Sequence, residues 1–385
     1  MARHLTTERS ANVRWSIGFG IAGVALFVFY HWVVPSSPQM VKDFVNGWFS
    51  NMNTNEMMIY VIMALGLNIV VGYAGLLDLG YVAFWAIGGY VAGWTMSSFF
   101  DAAHVNVFGN PAPGLTQGVH ITFWWVLILA GLFCAVWGII IGAPTLRLKS
   151  DYLALVTLGF GEIIPQVFVN GQNVFGYNIS NGTQGISPVD NIKFFGIRSL
   201  GPFDADYKFI IYAILVAFMV FVSLRLRSGR LGRAWLAIRE DELAASMMGV
   251  PLMKTKLEAY AVGAFGGGLG GVAFATHVNG VFAERFNFSI SIIILAMVVL
   301  GGMGNVWGVM VGALVLSWIN GIFLAQLGDT INSTFNTDIN FPSFNFLIFG
   351  LLLIFMMLFR REGFIPEART RLVMHEHDAD NEEVH

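Results

Sequence analysis

The chain has 385 residues, of which 56% are hydrophobic and only 12% charged, and its formal net charge is −3. Long apolar runs recur from end to end, which excludes a water-soluble domain and makes this an all-α integral membrane protein. The small net charge excludes a nucleic-acid partner, and the single cysteine, Cys134, excludes an intrachain disulfide.

Residues 1–14, MARHLTTERSANVR, form a polar, basic segment. The apolar run 15–34 that follows is longer than the ~7–15 residues of a signal-peptide core and has no small-x-small site behind it, so it reads as a retained span. Further spans are expected at 57–76, 80–100, 121–143, 151–170, 209–226, 255–277, 288–306, 309–327 and 344–359, ten in all, as one membrane domain over 15–359. The boundary between the eighth and ninth is a tight turn in LGGMGNVWG.

Basic residues orient this map. With the N-terminus inside, the inner segments carry Arg3, Arg9, Arg14, Arg147, Lys149, Arg225, Arg227, Arg230, Arg233, Arg239, Lys254, Lys256, Arg360, Arg361, Arg369 and Arg371. The outer segments carry only Lys42, Lys193, Arg198, Lys208 and Arg285. Sixteen against five places both ends in the cytoplasm. The longest outer segment, 171–208, is rich in Gly, Asn, Ser and aromatics, and reads as a connecting loop or a small cap. The tail 360–385 starts basic and ends in HEHDADNEEVH, a solvated disordered end.

The stretch Arg225 to Lys256 is the one long charged segment between the two ends. Leu231, Ala234, Trp235, Ile238, Ala245 and Met248 keep a helical rhythm, so the cytoplasmic loop 227–254 is expected to hold an amphipathic coupling helix over 230–249, stopped by Gly249 and Pro251. Its apolar face is expected against a cytoplasmic partner, with Arg239, Glu240, Asp241 and Glu242 beside it.

Two glycine ladders follow, Gly263, Gly267 and Gly271, then Gly304, Gly308 and Gly312. GxxxGxxxG puts three glycines on one helix face and is read here as close helix packing. Glu162 lies 12 residues after Ser150, about 18 Å along a helix and hence mid-membrane, with Pro165 on the next turn. It is expected to face the bundle interior or an aqueous path. Asn68 and Asn320 fall at similar depth. Each of the three lines a translocation path or bonds a neighbouring helix. Asp78, in GLLDLGY, is expected to cap the third span.

No lysine follows a glycine, so no GxxxxGK[ST] phosphate loop exists. There is no HExxH, no paired cysteine ligand set and no acidic magnesium motif. No catalytic residue, metal ligand or bound cofactor is expected.

The stretches ALGLNIVVGYAGLLDLGYVAFWAIGGY (64–90), RLKSDYLALVTLGFGEI (147–163), LGRAWLAIREDELAASMMGV (231–250), KLEAYAVGAFGGGLGG (256–271) and LGGMGNVWGVMVGA (300–313) resemble the LivM-type permease of branched-chain amino-acid ABC transporters. The resemblance implies an ABC importer permease in the bacterial inner membrane. Its docking helix is a version of the EAA loop: Ala244, Ala245 and Gly249 fit the spacing, while Leu243 stands where Glu is usual and Glu242 precedes it. It also implies a paralogous LivH-type permease as heterodimer partner and two ATPase subunits holding ATP and magnesium. An extracytoplasmic amino-acid-binding protein and membrane lipid complete the set. The implied substrate is leucine, isoleucine or valine, with urea, amides or other amino acids as alternatives within the family. An ion-coupled secondary transporter built on Glu162 is the rival from another class, and a membrane enzyme is a weaker one.

Overall fold

A computed structural model describes residues 2–365 apart from 49–50, 112–116, 149, 195–197, 202–203, 336–339 and 360–362. The expected tail 360–385 lies outside the described residues except for 363–365.

The molecule is a helical bundle with two small sheets in its loops. Helix α1 (Ala2–Val28) runs through a π-turn (Phe29–Val33) into α2 (Val34–Ser36), and a short α3 (Gln39–Trp48) follows. The bundle proper comprises α4 (Asn51–Asn68), α5 (Val82–Thr95), α6 (Phe123–Thr145), α7 (Ser150–Val169), α8 (Ala205–Ser228), α11 (Leu252–Val278), α12 (Phe288–Gly301), α13 (Val306–Trp318), α14 (Leu324–Phe335) and α15 (Asn345–Phe359). Two short helices, α9 (Arg230–Glu240) and α10 (Glu242–Met247), fill the polar segment between α8 and α11. The expected N-terminal segment 1–14 is not separate from the first span: from Ala2 it is the start of α1.

Seven helices among the described residues are long and apolar enough to cross a membrane: Met52–Tyr73, Phe123–Thr145, Tyr152–Val169, Ala205–Ser228, Leu252–Val278, Ala283–Gly301 and Val306–Ser333. The expected span 15–34 is helical throughout, in α1, the π-turn and α2, and 344–359 is matched by α15, although their apolar stretches among the described residues are brief, Arg14–Val28 and Asn345–Met356. The expected span 80–100 starts as a helix only at Val82 and ends at Thr95, 14 residues. That is about 21 Å, less than a ~30 Å hydrocarbon core. The eight residues before it are not helical, because Gly75 takes a left-handed conformation (φ +69) and Asp78 folds its carboxylate onto the Gly80 amide at 2.8 Å.

Helices α4, α5 and α11 form the centre, with α6, α7, α8, α12 and α13 packed around them. From Ile59 to Ala74, and along all of α5 up to Gly93, every residue is buried. The first glycine ladder explains how three backbones come so close. A Cβ on Gly271 would stand 2.4 Å from the Trp85 carbonyl oxygen, one on Gly267 2.8 Å from the Phe84 Cβ, and one on Gly263 would overlap Val70. The Tyr81 hydroxyl donates to the Gly263 carbonyl at 2.9 Å. The second ladder is only partly a packing face. Gly308 and Gly312 do press on Gly301 and Met297. Gly304, however, lies in the turn before α13 at φ +87, so it serves the turn and shares no helix face with the other two.

The loops gather at two ends. One holds the 74–80 segment, α9 and α10, the α12–α13 turn and residues 363–365, whose amides at Phe364 and Ile365 donate to Leu300 and Gly301. The opposite end is a cap. There β1 (Met96–Ser97), β3 (Gly118–Ile121) and β2 (His104–Val107) form one sheet in the order β1-β3-β2, and β4 (Ile192–Phe194) pairs with β5 (Arg198–Leu200). The expected cap over 171–208 is therefore built together with 96–122. Asp190 ties them, its amide donating to Met96 at 2.7 Å and its carboxylate meeting His120 Nδ1 at 2.8 Å.

Candidate functional site

The polar segment is built as a small brace under the bundle. Gly229, in extended conformation, ends α8 and starts α9. Trp235 is fully buried, and its indole N–H donates to the Thr255 carbonyl in α11 at 2.9 Å. Asp241, also extended, breaks the helix again and caps α10, its carboxylate accepting from Leu243 and Ala244 amides at 2.8 and 3.0 Å. Glu242 forms an ion pair with Lys256 of α11 at 2.6 Å. Gly249, at φ +82 with open space around it, ends the unit after α10.

The break at Asp241 corrects the expected docking face. A rhythm running unbroken from Leu231 to Met248 would need one helix, and the chain resets its phase between α9 and α10. Trp235, Ile238 and Ala245 (4% exposed) turn inward on the protein itself. The surface instead presents Leu243 (68%), Met247 (78%) and Met248 (85%), flanked by exposed Glu240, Asp241, Glu242 and Ala244. Leu243, Met247 and Met248 thus make a small exposed apolar patch with an acidic rim.

Arg239 points the other way, into the bundle. Its guanidinium donates from Nη1 to the Gly72 carbonyl at 2.5 Å. Gly72 belongs to a buried π-turn, Ile69–Tyr73, that closes α4. Asn68, just before this turn, is fully buried, and its Oδ1 accepts from the Gly304 amide at 2.9 Å. Asn320 lies in another π-turn, Ile319–Phe323, and its Oδ1 accepts from Asn345 Nδ2 at 3.2 Å. Both asparagines thus bond a neighbouring element.

Glu162 does not face the bundle interior. It lies on the exposed side of α7 with Ile163, Gln166 and Val167, while Pro165 on the same turn is buried. The outward faces of α6 and α8 are apolar in contrast, with Trp125, Ile128, Leu132 and Val136 on one and Ile214, Phe218 and Phe221 on the other. Asp78 does not cap α5. It sits three residues ahead of Tyr81, the N-cap position, and the α5 amide at Val82 is taken by Ser291 Oγ at 3.0 Å.

Among the described residues no group of three His, Cys, Asp or Glu could hold a metal ion.

Residues 52–357 match a family described as branched-chain amino acid transport system / permease component. The chain belongs to this family. A LivM permease protein of a high-affinity branched-chain amino acid transport system, from Salmonella typhimurium, is 34% identical over 346 residues, 85% of this chain and 72% of the relative. Its Escherichia coli K12 counterpart is 34% identical over 335 residues, 82% and 69%. The Salmonella typhimurium LivH permease protein of such a system is 25% identical over 276 residues, 70% and 82%. No solved structure matches. The matched region takes in the whole brace, the π-turn at Ile69–Tyr73 and the α12–α13 turn.

Sequence reasoning found Arg239, Glu240, Asp241 and Glu242 as a group but gave them one role. Arg239 grips α4, Asp241 caps α10 and Glu242 binds Lys256. It missed Trp235 as an internal anchor and Lys256 as a partner. The signal for Trp235 was there: a lone tryptophan in a basic helix beside a long span seldom faces water.

Proposed function

We propose that this chain is a permease subunit of an ATP-driven importer of branched-chain amino acids, set in the cytoplasmic membrane of a bacterium and catalysing no reaction itself. The family match carries the reading, together with relatives whose names describe LivM and LivH permeases of such systems. The domain 15–359 crosses the membrane ten times, with residues 1–14 and 360–385 in the cytoplasm. The sorting of basic residues supports this, as does the gathering of α9, α10 and residues 363–365 at one end of the bundle.

A LivH-type permease completes the path as a heterodimer. The face of α7 that carries Glu162 and Gln166 is where it or the aqueous path meets this chain, because a carboxyl and an amide side by side are costly against lipid tails. The apolar faces of α6 and α8 are left to lipid. Two ATPase subunits, which hold ATP and magnesium, seat on Leu243, Met247 and Met248, and an amino-acid-binding protein delivers substrate to the cap. Purification of the tagged chain in mild detergent, with mass identification of its companions, tests this. Two ATPases and a second permease are expected, and a chain that purifies alone and transports without ATP contradicts it.

A further inference from the structure

We propose that Arg239 is a positioning residue for transport: a latch through which movement of α9 and α10 reaches the broken span, by way of the π-turn at Ile69–Tyr73 and the α12–α13 turn. The inference rests on the importer reading above and adds the route inside this chain.

Among the described residues, side-chain bonds from Trp235, Glu242 and Arg239 hold α9 and α10 to the bundle. Those from Trp235 to Thr255 and from Glu242 to Lys256 end on α11. That from Arg239 ends on the turn that leads into the non-helical stretch before α5.

The chemistry at this point is specific. Gly72 is in the last turn of its helix, where carbonyls lack intrahelical partners and the helix dipole favours a cation. A guanidinium meets both needs. Two glycines make room for it. A Cβ on Gly75 would stand 2.9 Å from Arg239 Cγ, so the arginine stem lies directly over that left-handed residue. A Cβ on Gly72 would overlap Asn68 Oδ1 and stand 2.6 Å from the Gly304 amide nitrogen. Arg239, Gly72, Asn68 and Gly304 thus form one continuous line from the exposed brace to the turn between α12 and α13. That turn also holds residues 363–365, through Leu300, Gly301 and the Asn305 side-chain amide, which donates to Ile365 at 3.0 Å.

A π-turn holds one more residue per turn than the α-helix around it, and such turns mark places where a helix can change register. Seated between the latch and the broken span, this one is the element that has two arrangements. When the brace moves, Arg239 either holds Gly72 or lets it go, and the 74–81 stretch follows.

The test uses the assembled transporter in proteoliposomes, with wild type, Arg239→Ala, Arg239→Lys and Trp235→Phe. Two quantities are read: substrate moved per ATP hydrolysed, and amide hydrogen exchange over 69–76 with and without ATP. Losing a charged hydrogen bond of this kind predicts about a tenfold drop in transport per ATP for Arg239→Ala, with Arg239→Lys between it and wild type. Exchange over 69–76 rises on ATP binding in wild type and is already high without ATP in Arg239→Ala. Trp235→Phe, which gives up a bond to Thr255 of α11 and leaves the Arg239 contact with Gly72 in place, keeps exchange over 69–76 low without ATP even if it lowers the yield. A wild-type ratio and exchange pattern in Arg239→Ala overturns the latch while leaving the importer reading intact. A wild-type assembly whose uptake is indifferent to ATP overturns the importer reading itself. If Arg239→Ala accumulates poorly, Arg239→Lys decides by the same two readouts.

Discussion

Gly271→Ala is the sharpest probe of how this bundle is held together. The added Cβ would lie 2.4 Å from the Trp85 carbonyl oxygen, 2.5 Å from the Gly89 nitrogen and 2.8 Å from the Gly88 carbonyl carbon. All three neighbours are backbone of α5, so no side chain can rotate away. Reaching ordinary contact demands that α11 and α5 separate by about 1 Å, and overpacking of a tight interior typically costs about 1–3 kcal/mol. The separation would also loosen the Gly88 contact with Gly268, where a Cβ already has only 2.5 Å, so the upper part of that range is expected. Gly159→Ala is the control, since nothing lies within 4 Å of its Cβ and alanine is the better helix former. Thermal unfolding in detergent, followed by size-exclusion fluorescence, compares the two. Gly271→Ala should melt several degrees below wild type and Gly159→Ala at or above it. Equal melting of Gly271→Ala and wild type would refute the claim that backbone contact between α5 and α11 sets the packing.

The contact surface of α10 predicts a split between two neighbouring substitutions. Met248→Asp, at an 85% exposed position, should leave stability within about 0.5 kcal/mol and remove ATPase capture, whereas Ala245→Asp, at 4%, should destabilise the chain itself. The Glu242–Lys256 pair is half open on the glutamate side, so Glu242→Gln should cost under about 1 kcal/mol, and less at high salt; a detergent melt at two ionic strengths checks this. In the cap, burial pushes the Asp190 carboxyl up from 3.8 to about 6, outweighing the opposing pull of His120 and Lys193. The folded cap therefore holds this proton more tightly than the unfolded chain does, and the stability Asp190 contributes is full below pH 3.8 and is lost as pH rises through about 6. Hydrogen exchange over 118–121 and 190–192 should show protection falling across that window, and Asp190→Asn should flatten the profile. A cysteine at position 162 should react with a water-soluble maleimide in the assembled transporter if α7 borders an aqueous path, and stay unreactive if lipid covers it.

Much of the bundle was legible because apolar runs of membrane length have few other uses. The runs at 121–143, 151–170, 209–226 and 255–277 each became a long helix within a few residues of the expected ends. The run at 80–100 became a helix only from Val82 to Thr95, because hydropathy does not see where the backbone turns: Met96 and Ser97 leave the helix for β1 while Met96, Phe99 and Phe100 keep the run apolar. The brace was legible as a helix but not in its orientation. Asp241 fits a helix interior and an N-cap alike, and only the cap resets the phase that hides Ala245 and bares Met247. Glycine spacing told the truth at Gly263, Gly267 and Gly271 and misled at Gly304, since a ladder on paper needs one unbroken helix in space. Partnerships between distant residues, such as Arg239 with Gly72 or Asn68 with Gly304, leave no trace in a single sequence, because each half is an ordinary residue in its own neighbourhood.

The most direct test of the account is uptake of isotope-labelled leucine into proteoliposomes that hold this chain with the subunits it purifies with. The binding protein is supplied outside and ATP with magnesium is supplied on the side of α10. Accumulation against a gradient is expected, stopping when ATP is withheld or when Met248→Asp replaces wild type. Accumulation that persists without ATP and follows an imposed ion gradient would contradict it, and would make Glu162 the first residue to change.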